Sequence, residues 1–151
     1  MKCFIDSNVL ISAGLFPGSV PAAAFLKAVT PPNTAFVSDY SLDETHRKIK
    51  EKFPDKIHDL ETFLYHALFS VQLISTPTDA VEDESKVSDV KDRPILRAAI
   101  AADIDVLITG DKKLLASGVT KPRILNPKDF LDKRDIFASD QEAETHRQHG
   151  E

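Results

Sequence analysis

Two aspartates near opposite ends of this chain follow short apolar runs. The chain begins Lys2-Cys3-Phe4-Ile5-Asp6-Ser7-Asn8-Val9-Leu10, and far downstream it reads Ile104-Asp105-Val106-Leu107-Ile108-Thr109-Gly110-Asp111. In both places a β-type run leads to an acid and a helix-like segment follows. Ligands of open parallel sheets bind in the crevice at the carboxyl ends of the strands. Asp6 and Asp111, delivered there from the two ends of the sequence, predict a site for a divalent cation. Two further acids stand at comparable places. Asp92 opens a helix, where the partial positive charge of the helix N-terminus favours an ionised carboxylate. Glu44 lies one or two turns into the helix after the second strand, on the side the strand ends face.

Each acid has an ordinary explanation when taken alone. Ser41-Leu42-Asp43-Glu44 matches a capping box, and Glu44 stands at i,i+4 from Lys48. Asp92 is a common helix-start acid, and Thr109 a common strand threonine. Taken together, the four acids point to chemistry. Like charges 4 Å apart repel by about 1 kcal/mol in water and about 4 kcal/mol at an effective dielectric of 20. Four carboxylates in one crevice therefore call for a cation or for protonation of one of them.

The elements that must position these acids alternate between short strands and helical segments, which predicts an α/β fold. Strands are expected at Cys3 to Asp6, Thr34 to Val37, Val71 to Ile74, Ile104 to Thr109 and Arg123 to Leu125. Helical segments are expected from Asn8, over Ala22 to Val29, and from an N-cap at Ser38 through Phe53. Others are expected over Asp55 to Phe69, from Asp92 with Ile95, Ala98, Ala99 and Ala102 on one face, over Lys112 to Ala116, and over Pro127 to Leu131. Thr76 to Asp89 reads as an exposed acidic loop. Residues 1–131 form one unit. Residues 132–151 read as a polar, flexible C-terminal tail, with Ile136 and Phe137 its only large apolar side chains.

Composition narrows the function classes. The chain has 151 residues, 42% hydrophobic and 28% charged, enough for one core without covalent staples. The single cysteine, Cys3, excludes an intramolecular disulfide and reads as a buried, inert thiol. Asp6 and Asn8 interrupt any signal-peptide reading, and no run reaches membrane-spanning length, so a cytoplasmic protein with no membrane association is expected. The net charge of −5 argues against coating nucleic acid with the whole surface but not against local strand binding. Basic residues cluster from His46 to Lys56. Zinc is not favoured: His46, His58 and His66 lack partners at ligand spacing, and His146 and His149 fall in the tail. No phosphate-cradling glycine loop and no nucleophile setting of the serine or cysteine type is visible.

In order along the chain, Phe4-Ile5-Asp6-Ser7-Asn8-Val9-Leu10-Ile11-Ser12-Ala13, the stretch from Val37-Ser38 to Glu44, Asp89-Val90-Lys91-Asp92-Arg93-Pro94-Ile95-Leu96, Leu107-Ile108-Thr109-Gly110-Asp111-Lys112-Lys113-Leu114-Leu115 and Asn126-Pro127-Lys128-Asp129-Phe130-Leu131 resemble the successive elements of PIN-domain ribonucleases. The resemblance is greatest to the VapC-like toxins of bacterial toxin–antitoxin pairs. It implies an α/β/α sandwich with a five-stranded parallel sheet in order 3-2-1-4-5, in which strands one and four bring Asp6 and Asp111 together. It further implies that Asp6, Glu44, Asp92 and Asp111 bind Mg²⁺ or Mn²⁺ and cleave single-stranded or looped RNA. The implied partners are a small antitoxin and a second copy in a homodimer. Where family members often carry adjacent acids, this chain has Asp92-Arg93, which leaves Asp89 as a possible auxiliary acid.

Within that reading Asp6 and Asp111 are direct metal ligands, Asp92 a direct or water-mediated one, and Glu44 a holder or base for the attacking water, with possible metal contact. Ser7, Asn8 and Thr109 orient the carboxylates. Arg47, Lys48, Arg93 and Lys112 are possible RNA contacts. Alternatives left open are a PIN nuclease of RNA processing without a toxin role, an inactive PIN-fold binding module, and an aspartyl-phosphate domain. The last wants a second aspartate where this chain has Asn8.

Overall fold

The computed structural model describes residues 1–132. Five parallel strands, β1 (Lys2–Ile5), β2 (Thr34–Ser38), β3 (Val71–Ile74), β4 (Val106–Ile108) and β5 (Arg123–Leu125), form one sheet in the order β3-β2-β1-β4-β5. The chain reverses its direction of travel across the sheet between β1 and β4, where Phe4 pairs with Leu107 and Ile5 with Ile108. Among the described residues seven α-helices accompany them: α1 (Ser7–Leu15), α2 (Val20–Val29), α3 (Asp39–Lys52), α4 (Ile57–Ala67), α5 (Arg93–Ala101), α6 (Lys112–Leu115) and α7 (Pro127–Asp132).

The central strands are apolar throughout because both faces of the sheet are covered. Cys3 and Ile5 of β1 and Val106 and Ile108 of β4 pack with Val9 and Leu10 of α1, Ala24 and Ala28 of α2, and Phe130 of α7. Phe4, Phe36 and Leu107, one residue out of phase, meet Ile95, Ala98 and Ala99 of α5 on the other face. This is the two-residue period of a strand expressed in two cores. A third cluster, Ile11, Ile49, Leu60 and Leu64, ties α1, α3 and α4 together. Gly14 permits that approach: a β-carbon there would come within 2.7 Å of the Phe63 ring.

Side-chain caps start the helices that leave the carboxyl ends of the strands. Asp6 caps α1 by accepting from the Ser7 amide, Ser38 caps α3 by accepting from the Ser41 amide, and Asp111 caps α6. Asp6 is thus an N-cap one residue beyond β1, not the last strand residue. With Ser38 as the cap, Ser41 is internal to α3, so the capping-box explanation of Glu44 fails.

The fourth strand is three residues rather than six. Asp103 takes a left-handed φ of 54°, which turns the chain before β4. The segment read as an exposed loop is also more structured than expected. Glu82–Lys86 forms a 3₁₀ turn whose Glu84 is buried and grips Arg97 of α5 in a two-pronged ion pair, Nε to Oε2 at 2.8 Å and Nη2 to Oε1 at 2.9 Å. The polar tail, with His146 and His149, lies outside the described residues save Asp132. Among the described residues no single helix is long and apolar enough to cross a membrane. Cys3 is fully buried, and that burial pushes its thiol up to about 11.

Candidate active site

At the carboxyl ends of β1 and β4 the chain gathers its acids. Asp6 is 2% exposed. Its Oδ2 accepts from the Thr109 hydroxyl at 2.7 Å and from Asn8 Nδ2 at 3.2 Å, and its Oδ1 from the Ser7 amide at 2.8 Å. Burial outweighs these donors and, with the nearby Glu44 carboxylate, pushes Asp6 up to about 6. Thr109, one residue beyond β4, therefore supplies the donor that fixes an acid 103 residues upstream.

Glu44 is buried beside α1. Its Oε1 accepts from the Ser7 hydroxyl at 2.8 Å and pairs with Lys48 Nζ at 2.7 Å, and Lys48 also reaches the Ser7 oxygen at 3.4 Å. The i,i+4 pair foreseen on a helix surface is thus enclosed, and its carboxylate belongs to the same group as Asp6.

Asp92 stands where a 3₁₀ turn (Val90–Asp92) runs into α5. It is pushed up to about 7, first by burial, then by the charge of Asp111, with Asp89 and Asp6 adding repulsion. Its Oδ2 is buried and has no hydrogen-bond partner among the described residues. A buried carboxylate oxygen without a donor costs free energy that a protein tolerates at a functional site. Asp111 is half-buried, and its Oδ1 accepts from the amides of Lys113 at 2.8 Å and Leu114 at 3.3 Å.

Asn8 and Thr109 link the two halves of the site. Asn8 Nδ2 donates to Thr109 Oγ1 at 3.3 Å, Asn8 Oδ1 accepts from the Gly110 amide at 2.9 Å, and Thr109 Oγ1 accepts from the Asp111 amide at 3.0 Å. Ser7, Asn8 and Thr109 thus all hold carboxylates or the turn that carries one. Asp89 caps the turn before Asp92 and lies 3.7 Å from Lys113 Nζ.

The four expected RNA-contacting residues fall into two groups. Arg47 and Lys112 are exposed. Lys48 is turned inward onto Glu44, and Arg93 donates from Nε to the Val87 carbonyl at 3.0 Å, bracing the loop before Asp92. Two residues of the surroundings escaped the sequence reading. Tyr40 donates from its hydroxyl to the Lys91 carbonyl at 2.6 Å, and Arg97 clamps Glu84. Arg97 was detectable as a second arginine one helical turn after Arg93 on a helix otherwise apolar.

The donor set is all oxygen, and burial, with repulsion added, already raises two of its members. Among the described residues no three acids stand at ligating distance in this arrangement. The charge of Asp111 acts on Asp92, while Asp6 joins Glu44 through Ser7. The partnerless Oδ2 of Asp92 is the atom a hard cation would satisfy.

These features belong to a doubly wound α/β domain with an acidic crevice at its topological switch point. A family model for the PIN domain matches residues 2–113, and the chain belongs to the PIN-domain family. Solved structures share its fold. VapBC2 from Rickettsia felis, bound to a DNA fragment from its promoter, aligns with a TM-score of 0.65 at 15% identity, covering 83% of this chain and 98% of that one. DNA-bound VapBC from Salmonella typhimurium gives 0.62 at 12%, covering 84% and 98%. Mycobacterium tuberculosis VapC20, a Sarcin-Ricin loop cleaving toxin, gives 0.55 at 15%, covering 77% and 95%. No curated protein matches significantly in sequence.

Proposed function

We propose that this chain is a divalent-metal-dependent endoribonuclease that cuts single-stranded or looped RNA, and that it is the toxin of a toxin–antitoxin pair. The observation that carries the reading is the buried Oδ2 of Asp92, which lacks a partner among the described residues, on the same acidic rim as Asp111 and the buried Asp6 at the switch point of the sheet. Similarity to VapBC assemblies and to a Sarcin-Ricin loop cleaving toxin supports the same class.

Asp6, Asp92 and Asp111 would hold Mg²⁺ or Mn²⁺, which supplies Lewis acidity and neutralises charge on a phosphodiester. The protein's own residues do the rest. Thr109, Asn8 and the Ser7 amide fix the Asp6 carboxylate in one orientation. Ser7 and Lys48 both engage Oε1 of Glu44, so Oε2 is the oxygen that takes the proton of an attacking water. Lys48 holds that carboxylate in place, and Arg47 and Lys112 contact the RNA backbone from the rim. Asp89 is an auxiliary acid that biases Asp92. The catalytic unit is residues 1–131. Its partners are a small antitoxin that covers the acidic crevice with a basic side chain, and a second copy of the chain.

Purified protein incubated with a panel of single-stranded and stem-loop RNAs tests the reading. Cleavage with Mg²⁺ or Mn²⁺, abolished by EDTA and by Asp111→Asn, is the expected result. Undiminished cleavage in EDTA would overturn the mechanism. Co-purification from the native host, with light scattering of the product, tests both partners.

A further inference from the structure

Beside the carboxylates lies a cleft of about 310 Å³ that the proposed chemistry leaves unused. Its walls come from four places in the fold: Val9 and Ser12 of α1, Pro21 at the start of α2, Gly110 in the turn after β4, and Pro127 at the start of α7. It shares Asn8 and Asp111 with the acidic site. The cleft is therefore continuous with the place where a scissile phosphate would sit.

The lining decides the chemistry of the occupant. It contains no lysine, arginine or histidine, and its one charged member is the acid Asp111. A phosphate would find no counter-charge there and would meet repulsion. A flat, uncharged, heteroaromatic group would find apolar walls from Val9 and the two prolines, the kind of surface against which an unstacked base packs. Pro21 and Pro127 sit in the first turns of their helices, where proline's fixed φ makes rigid walls and lowers the ordering cost of binding. The volume lies at the lower end of ligand sites, about 300–1,000 Å³, suited to one nucleoside and small for a peptide helix. Asn8 is committed on both ends of its amide, to Asp6 and Thr109 through Nδ2 and to Gly110 through Oδ1. Ser12 supplies a hydroxyl that can donate or accept at a base edge.

We propose that this cleft is a subsite for the nucleobase adjoining the scissile phosphate, with Ser12 as a specificity-determining residue. The inference rests on the ribonuclease reading and adds to it a place where sequence is read.

The test is a titration of the ¹⁵N-labelled full chain, with Mg²⁺ present, by each of the four nucleoside 5′-monophosphates and by ribose 5-phosphate. At least one nucleotide should shift the amides of Val9 and Ser12, whereas ribose 5-phosphate should leave them in place. Ser12→Leu, which fills the cleft, should weaken nucleotide binding at least tenfold while leaving any ribose 5-phosphate shifts near Asp111 unchanged. Ser12→Ala, which keeps the space and removes the hydroxyl, should change the rank order of the four nucleotides and secures the test should Ser12→Leu fold poorly. In cleavage assays both variants should flatten the base preference, chiefly through KM. RNA cleavage together with equal responses to nucleotides and ribose 5-phosphate would overturn the subsite and leave the ribonuclease reading standing. Nucleotide binding in the cleft without cleavage of any RNA would overturn the ribonuclease reading, and the subsite's link to a scissile phosphate with it.

Discussion

Removing the charge of Asp92 should stabilise the metal-free protein, and the effect should depend on pH in a defined direction. Asp92 is pushed up to about 7 and Asp6 to about 6. Both folded-state values lie above the ordinary aspartate value near 3.9. The folded protein therefore holds protons that the unfolded chain has released, and stability is present in full below about pH 4 and lost as pH rises through 6 and 7. A tenfold change in proton affinity is worth about 1.4 kcal/mol, so ionising Asp92 at pH 8 costs at most about 4 kcal/mol, of which we take about 2–4 after screening by solvent at the half-buried Asp111. Asp92→Asn cannot ionise, and its uncharged amide replaces an oxygen, Oδ2, that has no partner to lose. At pH 8 in EDTA the variant should therefore melt about 4–16 °C above the wild type, at about 2–4 °C per kcal/mol for a domain of this size. At pH 5 the gap should shrink to about a third to a half, because most of the wild-type penalty is then not yet incurred. Both proteins should still lose stability up to pH 6 through Asp6, and only the wild type should continue to lose it beyond. Saturating Mg²⁺ should raise the wild-type melting temperature, by about 2.7 kcal/mol of stabilisation at one hundred times Kd, and raise the variant's much less. Differential scanning calorimetry across pH 5 to 8 measures all of this. A variant that melts below the wild type at pH 8 without metal, or a gap that ignores pH, would refute the reasoning and make Asp92 a structural residue.

Other sites give further expectations. Thr109→Val removes the 2.7 Å donation to Asp6 and the acceptor for the Asp111 amide; urea titration should show a loss of about 1–3 kcal/mol, and carboxyl NMR should show Asp6 titrating at higher pH. Arg97→Met strands the buried Glu84 and should cost about 3–5 kcal/mol, most of it recovered when Glu84→Gln is added. A chain ending after Leu131 should keep RNA cleavage, since every acid of the site precedes that point; a folded but inactive truncation would mean the catalytic unit extends into the tail.

Much of the fold is legible in the sequence because its cues are local. Apolar runs mark all five strands, Ser38 and Pro94 mark two helix starts, and the unbroken apolarity of β4 and of residues 3–5 of β1 matches a sheet covered on both faces. The departures are also local in origin. Thr76 to Asp89 reads as solvated because acids and turn residues dominate it, and only the arrival of Arg97 from α5 lets Glu84 be buried. The β4 strand reads too long because Ile104 folds back onto the end of α5 and Thr109 belongs to the turn that carries Asp111, and neither tie is visible in an apolar run.

The types of the candidate site residues and their order along the chain came from sequence alone. Their states did not. The i,i+4 relation of Glu44 and Lys48 is written in the sequence, but whether the pair faces water or the crevice depends on where Ser7, 37 residues away, comes to rest. Asp6 and Asp111 are ordinary aspartates until the pairing of β1 with β4 brings the Thr109 hydroxyl to one and its backbone turn to the other. The raised values of Asp6 and Asp92 arise from desolvation and from charges distant in sequence, and both exist only once the sheet has closed over them. The cleft beside them has walls from α1, α2, α7 and the turn after β4, residues spread from position 8 to position 127, so no local pattern could reveal it. Residue type and short-range preference are properties of the chain, whereas burial, charge state and concavity are properties of the packing.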